Sequence, residues 1–179
     1  WRSNKFPILQ YDLEHPKDLS SFGLLEDYRG QLWFAMYGEG LLRLDRETGE
    51  YILYQHNPAD PENSLLDNYV LTISESCDGI LWIASRLGLN AFNPATGEFT
   101  HYTQNLENPD DPNTLSGRLV GHILVDSQDD LWIAMPMGLD RFDRGTGVFT
   151  HYKHDPQDPT SLREPNVSYV CEVQEGQIW

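Results

Sequence analysis

Six histidines (His15, His56, His101, His122, His151 and His154) and two cysteines (Cys77 and Cys171) are the obvious candidates for metal ligation or nucleophilic chemistry. Their spacing does not support either. No His-x-x-x-His or Cys-x-x-Cys pattern occurs. His101 and His151 stand in the same local sequence, Phe-Thr-His-Tyr, so a unique catalytic role is not expected of them. Both are expected on the polar face of an outer strand. A carboxylate pair for glycoside hydrolysis cannot be singled out. Asp60, Asp110, Asp111, Asp155 and Asp158 lie in recurring Asp-Pro loops. Calcium takes about six to eight oxygens, and no Asp-x-Asp-x-Asp-Gly loop is present. No cofactor is therefore expected, with calcium in these loops as the alternative. The cysteines read as thiols rather than a disulfide, and their number does not set the compartment.

The elements that carry these residues are indexed by one tryptophan motif. It reads Gly-Gln-Leu-Trp at 30–33, Gly-Ile-Leu-Trp at 79–82, Asp-Asp-Leu-Trp at 129–132 and Gly-Gln-Ile-Trp at 176–179. Trp33, Trp82, Trp132 and Trp179 are 49, 50 and 47 residues apart. Around each lie four runs of about five residues separated by Gly-bearing turns, which suggests a four-stranded antiparallel sheet. Gln31–Met36, Ile80–Ala84 and Asp130–Ala134 read as second strands, and no long helical pattern appears. A period of about 50 with four strands per unit indicates a β-propeller blade. A sandwich would give no reason for the period.

The expected organisation is one partial all-β propeller over 1–179. Full repeats fall at about 24–65, 69–115 and 119–162, with partial ones at 1–23 and 166–179. Phe6–Tyr11 reads as an outer strand and 15–20 as a shortened loop copy. The four tryptophans form the repeat core, packed between blades with Phe92, Phe142 and the Phe99–Tyr102 or Phe149–Tyr152 pairs. The chain opens at Trp1 without Met or a leader, so a removed signal peptide or an excerpt of a larger propeller is expected.

Composition narrows the partners. The net charge of −16 disfavours nucleic acid and anionic membranes. No run reaches the roughly 18 apolar residues of a membrane span, so any membrane link would come from a segment outside this chain. A homodimer is a further expectation.

Several further elements keep fixed register: Asp126 with Trp132, Gly138-Leu139-Asp140-Arg141-Phe142-Asp143, Thr146-Gly147-Val148-Phe149, and Asp155-Pro156 through Leu162. This pattern resembles the two-component regulator propeller repeat over residues 19–179. It departs at Ser76, where Asp27 and Asp126 stand in other copies, and at Asp129, which replaces a turn glycine. The resemblance implies a periplasmic or extracellular sensor domain of a bacterial hybrid histidine kinase, often recognising carbohydrate fragments. It supplies no universal ligand residues. The Asp-x-x-Gly-x-x-Trp segment also resembles the Asp-box of sialidases, where the aspartate holds a turn rather than doing chemistry.

The least repetitive positions lie in the turn between second and third strands: Tyr37-Gly-Glu-Gly, Ser85-Arg86-Leu-Gly and Met135-Pro-Met137-Gly. In a propeller this turn and the long inter-blade loop share one end, around the channel mouth. Tyr37, Arg86, Tyr69 and Arg118 are the ligand-binding candidates there, offering aromatic faces and guanidinium donors to a small polar ligand such as an oligosaccharide. The expected function is non-catalytic ligand sensing. The alternatives are a protein-interaction propeller or a propeller lyase or glycoside hydrolase.

Overall fold

The computed structural model describes residues 21–179. The readings made for the segment before residue 21 lie outside the described residues. Three four-stranded antiparallel sheets follow one another, each in simple sequence order. The first blade is β1 (Ser21–Glu26), β2 (Leu32–Met36), β3 (Gly40–Leu44) and β4 (Tyr51–Tyr54). The second is β5 (Val70–Glu75), β6 (Leu81–Ser85), β7 (Gly88–Phe92) and β8 (Phe99–Tyr102). The third is β9 (His122–Val125), β10 (Leu131–Met135), β11 (Gly138–Asp143) and β12 (Val148–Tyr152). A two-stranded start of another sheet, β13 (Glu172–Gln174) and β14 (Gln177–Ile178), ends the chain. The propeller fold is as expected, with strand limits displaced by a residue.

Part of that displacement has a steric reason. The third strands begin on the glycine, at Gly40, Gly88 and Gly138, where φ is +101°, +144° and +150°. A Cβ there would come within 2.2, 2.4 and 2.6 Å of the carbonyl oxygens of Tyr54, Tyr102 and Tyr152 on the fourth strands. Only glycine lets the third strand start so close to its neighbour.

The core sits in the seams between blades. Trp33 is fully buried and meets Phe92 of the second blade edge-on at 6.0 Å and Tyr54 of its own blade at 5.8 Å. Trp82 repeats this with Phe142 and Tyr102, at 5.8 and 5.9 Å. These contacts are those expected. Trp132 packs on Tyr152 of its own blade and is half-buried. Trp179, the last residue of this sequence, is 78% exposed. In the first two seams the cover comes from the third and fourth strands of the next blade.

Polar contacts fix the indoles. Asp27 is buried; its Oδ1 accepts the Arg29 and Gln31 amides, and its Oδ2 accepts the Trp33 indole N–H at 2.8 Å. Asp126 does the same for Gln128, Asp130 and Trp132. Ser76 cannot supply two carboxylate oxygens. Its hydroxyl accepts the Trp82 indole N–H at 3.1 Å and donates to Asp78 at 2.7 Å, while Asp78 also takes the Ile80 amide. Two residues thus do the work of one.

A second set of carboxylates joins the blades. The Tyr28 amide donates to Glu75 of the second blade at 3.0 Å, and the Ser127 amide to Glu172 at 2.8 Å. In the middle seam Val125 stands where the glutamate would be, and Asp129 accepts the Cys77 amide at 3.0 Å instead. Asp129 is the only non-glycine at positive φ among the described residues, at 67°. That conformation costs about 1 kcal/mol or more, and its carboxylate contacts to Cys77 and Arg144 offset it. Arg144 also pairs with Asp78 at 2.6 Å and lies over the Trp82 ring at 5.5 Å. In the first and third blades Arg43 and Arg141 cover the tryptophan from within the blade, each at 5.9 Å. The second blade has Ala91 at that place, and the neighbouring blade supplies the arginine.

Two expectations follow. Gly88→Ala should cost about 2–3 kcal/mol through clash and strain. Gly97→Ala, at φ +80° with nothing within 4 Å of the added atom, should cost about 1 kcal/mol. Equal losses in urea melts would mean that the close approach to Tyr102 is not what demands glycine at position 88. Trp82→Ala should cost about 3–5 kcal/mol, as for a buried aromatic. A loss below about 1 kcal/mol would show that the seam is not a packed core.

Candidate functional site

The two ends of the molecule differ in character. At the Thr-Gly end a cleft of about 370 Å³ opens between the second and third blades, lined by Trp82, Ala91, Glu98, Tyr102 and Arg144 among others. A matching cleft of about 420 Å³ lies beside Arg43, Asp45, Glu50 and Ile52 of the first blade. The two clefts share repeat positions, since Arg43, Asp45 and Glu50 correspond to Ala91, Asn93 and Glu98. Recurring geometry of this kind carries little selectivity.

The opposite end, where second strands turn into third strands, differs from seam to seam. Tyr37 pairs with Tyr69 through an isolated antiparallel bridge, and their rings meet edge-to-face at 4.9 Å. The Arg86 guanidinium lies over the Tyr69 ring at 4.6 Å. The three predicted residues are therefore one cluster, drawn from the β2–β3 turn, the entry to β5 and the β6–β7 turn. Tyr37 and Tyr69 remain 42% and 38% exposed, leaving aromatic surface for a ligand. Arg118 is also exposed, on the approach to β9. It makes no hydrogen bond or ion pair among the described residues, and it is not part of the Tyr69 cluster's contacts.

The backbone holds this cluster by short-range bonds. The Tyr69 amide donates to Asp67 at 2.6 Å, the Gly40 amide to the Asn68 carbonyl at 2.9 Å, and the His56 amide to the Asn68 side chain at 2.6 Å. Gly38, at φ +86°, brings the turn close to the Tyr69 ring. Burial holds the Asp67 carboxyl above the ordinary carboxylate range, against the pull of the Tyr69 amide and the Arg86 charge. Asp67 escaped notice in the sequence because nothing in the repeat register marks it: the matching positions are Gly117 and Val167.

At the seam after the third blade, the His122 and Tyr169 rings meet at 4.0 Å, tilted by 37°. Its Nδ1 is buried without a partner among the described residues. Burial pushes the imidazole below its ordinary value. The seam between second and third blades has Leu119 at the place of Tyr69 and Tyr169. The loop end is thus lined by different side chains at each seam.

His101 and His151 correct the sequence reading. Neither is a solvated residue on an outer face. The His101 Nε2–H donates to the Ser64 carbonyl at 2.9 Å, and His151 bonds Asp140 at 2.8 Å and the Asp111 carbonyl at 3.2 Å. Both fasten the preceding inter-blade loop to the next blade. The available signal was the polar residue inside a buried strand, Asn90 and Asp140, both fully buried. His101→Ala should therefore cost about 1 kcal/mol, one hydrogen bond, rather than nothing; a urea melt checks it.

Among the described residues no group of three or more His, Cys, Asp or Glu side chains is placed to hold a metal. Both cysteines are free, Cys77 exposed and Cys171 half-buried. No described helix is long and apolar enough to cross a membrane.

No protein-family model matches the chain, and no curated protein matches it. Solved structures do. The extracellular domain assigned to the hybrid two-component system BT3049 of B. thetaiotaomicron is 28% identical, with a TM-score of 0.77, over 90% of this chain and 22% of that one. The resemblance carried by the repeat sequence agrees with this likeness to the extracellular domain of a two-component system. The extracellular domain assigned to the one-component system BT4673 of the same organism matches at TM-score 0.70 and 18% identity, over 89% of this chain and 20% of that one. This propeller spans about a fifth of the length of each. Its place is extracytoplasmic, periplasmic or extracellular, as for the extracellular domain it resembles. Virginiamycin B lyase from Staphylococcus aureus matches at TM-score 0.56 and 20% identity, over 79% of this chain and 43% of that one, a likeness of fold alone.

The raised Asp67 carboxyl carries a pH expectation. The native state keeps this proton to higher pH than the unfolded chain does, so its stabilising contribution is full at low pH. It is lost as pH rises through the folded value. Relative to Asp67→Asn, the wild-type melting temperature should fall between about pH 4 and pH 7. A constant difference across that range would show that Asp67 titrates as in the unfolded chain.

Proposed function

We propose that this propeller is the non-catalytic ligand-sensing part of a two-component signalling receptor, and that it binds a small polar ligand, an oligosaccharide, at the loop end. The observation that carries the reading is the Tyr37–Tyr69–Arg86 cluster. It combines half-exposed aromatic faces with a planar donor on a rigid, backbone-paired support. Sugars present apolar C–H faces and directional hydroxyls, and this mixture suits both. Arg118 extends the same face. Similarity to extracellular domains of two-component systems supports a sensing role over an enzymatic one. Transmission of the signal belongs to segments beyond this chain.

The test is calorimetric titration of the intact extracellular domain against a glycan panel, repeated with Tyr69→Ala and Arg86→Ala. A bound glycan should lose about tenfold or more in affinity in each variant, the loss typical of an interface hot spot. Thr96→Ala, at the opposite end, should bind as wild type. Unchanged binding in both loop-end variants, with loss in Thr96→Ala, would move the site to the Thr-Gly clefts.

A further inference from the structure

The second and third blades fasten their incoming loops with the same histidine but with different partners. In the second blade His101 Nε2–H donates to the Ser64 carbonyl. The neighbouring third-strand residue is Asn90, whose side chain is occupied: its oxygen accepts the Leu66 amide and its nitrogen donates to the Ile83 carbonyl. It bonds neither nitrogen of His101. A neutral ring can therefore place its one proton on Nε2 and keep the loop fastened.

In the third blade Asp140 replaces the asparagine. It is fully buried, accepts the Ser116 amide at 2.8 Å and the Ser116 hydroxyl at 2.7 Å, and its Oδ1 lies 2.8 Å from His151 Nδ1. A carboxylate oxygen only accepts, so it claims a proton on Nδ1. The other ring nitrogen, Nε2, faces the Asp111 carbonyl at 3.2 Å, again an acceptor. Both contacts are made only by a ring protonated on both nitrogens. When His151 has one proton, Asp140 keeps it, and the bond to Asp111 is the one lost. The serine hydroxyl points to Asp140 rather than to the histidine, so the Ser116–Asp140–His151 set has no nucleophile.

We propose that His151 and Asp140 form a proton-dependent latch on the inter-blade loop 104–116, closed at mildly acidic pH and loosened as pH rises. The other charged groups facing the ring are Asp110 and Asp111 of the loop, with Lys153 paired to Asp110. Phe149 lies beside the ring at 6.4 Å and brings no charge. The latch bears on function through position: Ser116, clamped by Asp140, is two residues before Arg118. That consequence rests on the binding reading above, whereas the latch itself does not, and it is read without ligand.

Hydrogen exchange by mass spectrometry on the intact protein tests it, comparing peptides over 104–116 between about pH 5.5 and pH 8. After correction for the intrinsic pH dependence of exchange, protection should fall about tenfold across that range, the equivalent of one charge-assisted hydrogen bond. The loop 56–66, fastened by His101, should not change and serves as the internal reference. Asp140→Asn recreates the second-blade arrangement, and its 104–116 protection should stay constant with pH. If that variant does not fold, His151→Gln, which has no titrating ring, should be equally flat. Constant protection in wild type, or the same fall in either variant, would overturn the latch. Failure of glycan binding with the pH response intact would reject the binding face and leave the latch standing.

Discussion

A blade of four short strands has two apolar faces, and neither can be closed from within the blade. Every stabilising feature of this chain follows from that constraint. The second-strand tryptophan carries the largest apolar area in each repeat, and its burial depends on the third and fourth strands of the next blade. Trp33 and Trp82 have that cover and are buried. The indole N–H must also be satisfied inside the seam, because an unpaired buried donor costs about 1–3 kcal/mol. The aspartate six residues earlier does this while tying the turn that precedes the strand.

The middle repeat shows how the constraint is met when its usual residues are missing. Ser76 and Asp78 together replace the turn aspartate. Arg144 reaches over from the third blade to cover Trp82, where Ala91 offers no arginine. Asp129 supplies the inter-blade carboxylate that Val125 cannot. These three substitutions meet at one place, because Arg144 pairs with both Asp78 and Asp129. The middle seam is thus held by charges at its Thr-Gly end, whereas the first seam is held there by one amide–carboxylate bond and its aromatic core. Arg144 is largely buried, which reduces the solvent screening that makes exposed ion pairs weak.

With the seams fixed in this way, the connections at the loop end are free to differ. The turn between second and third strands varies in length and residue type without disturbing strand register, because pairing is set by the glycine at the start of the third strand. Tyr37, Tyr69 and Arg86 come from three connections and meet there. The long loops are bound by histidine and asparagine contacts to the neighbouring blade, so they are shaped surfaces rather than loose tethers. His56 and His154 add to this by bonding the carbonyls of Leu65 and Leu162.

The sequence by itself determined the blade, its four strands, the tryptophan seam and the end of the molecule where variation gathers. It could do so because these depend on local period, on glycine and aspartate turn chemistry, and on a motif written four times. The grouping of Tyr37, Tyr69 and Arg86 was foreseen only as a shared end, and contact among them was decided by how neighbouring blades approach. The compensation among Asp78, Asp129 and Arg144 was not legible, because it joins residues up to 66 positions apart in two different repeats. The loop-fastening contacts of His101 and His151 were not legible for a related reason. An alternating strand marks one face as polar, but in a propeller both faces of each blade are buried, and a polar side chain there must find its partner in the loop of another blade. Only the tertiary structure says which loop that is.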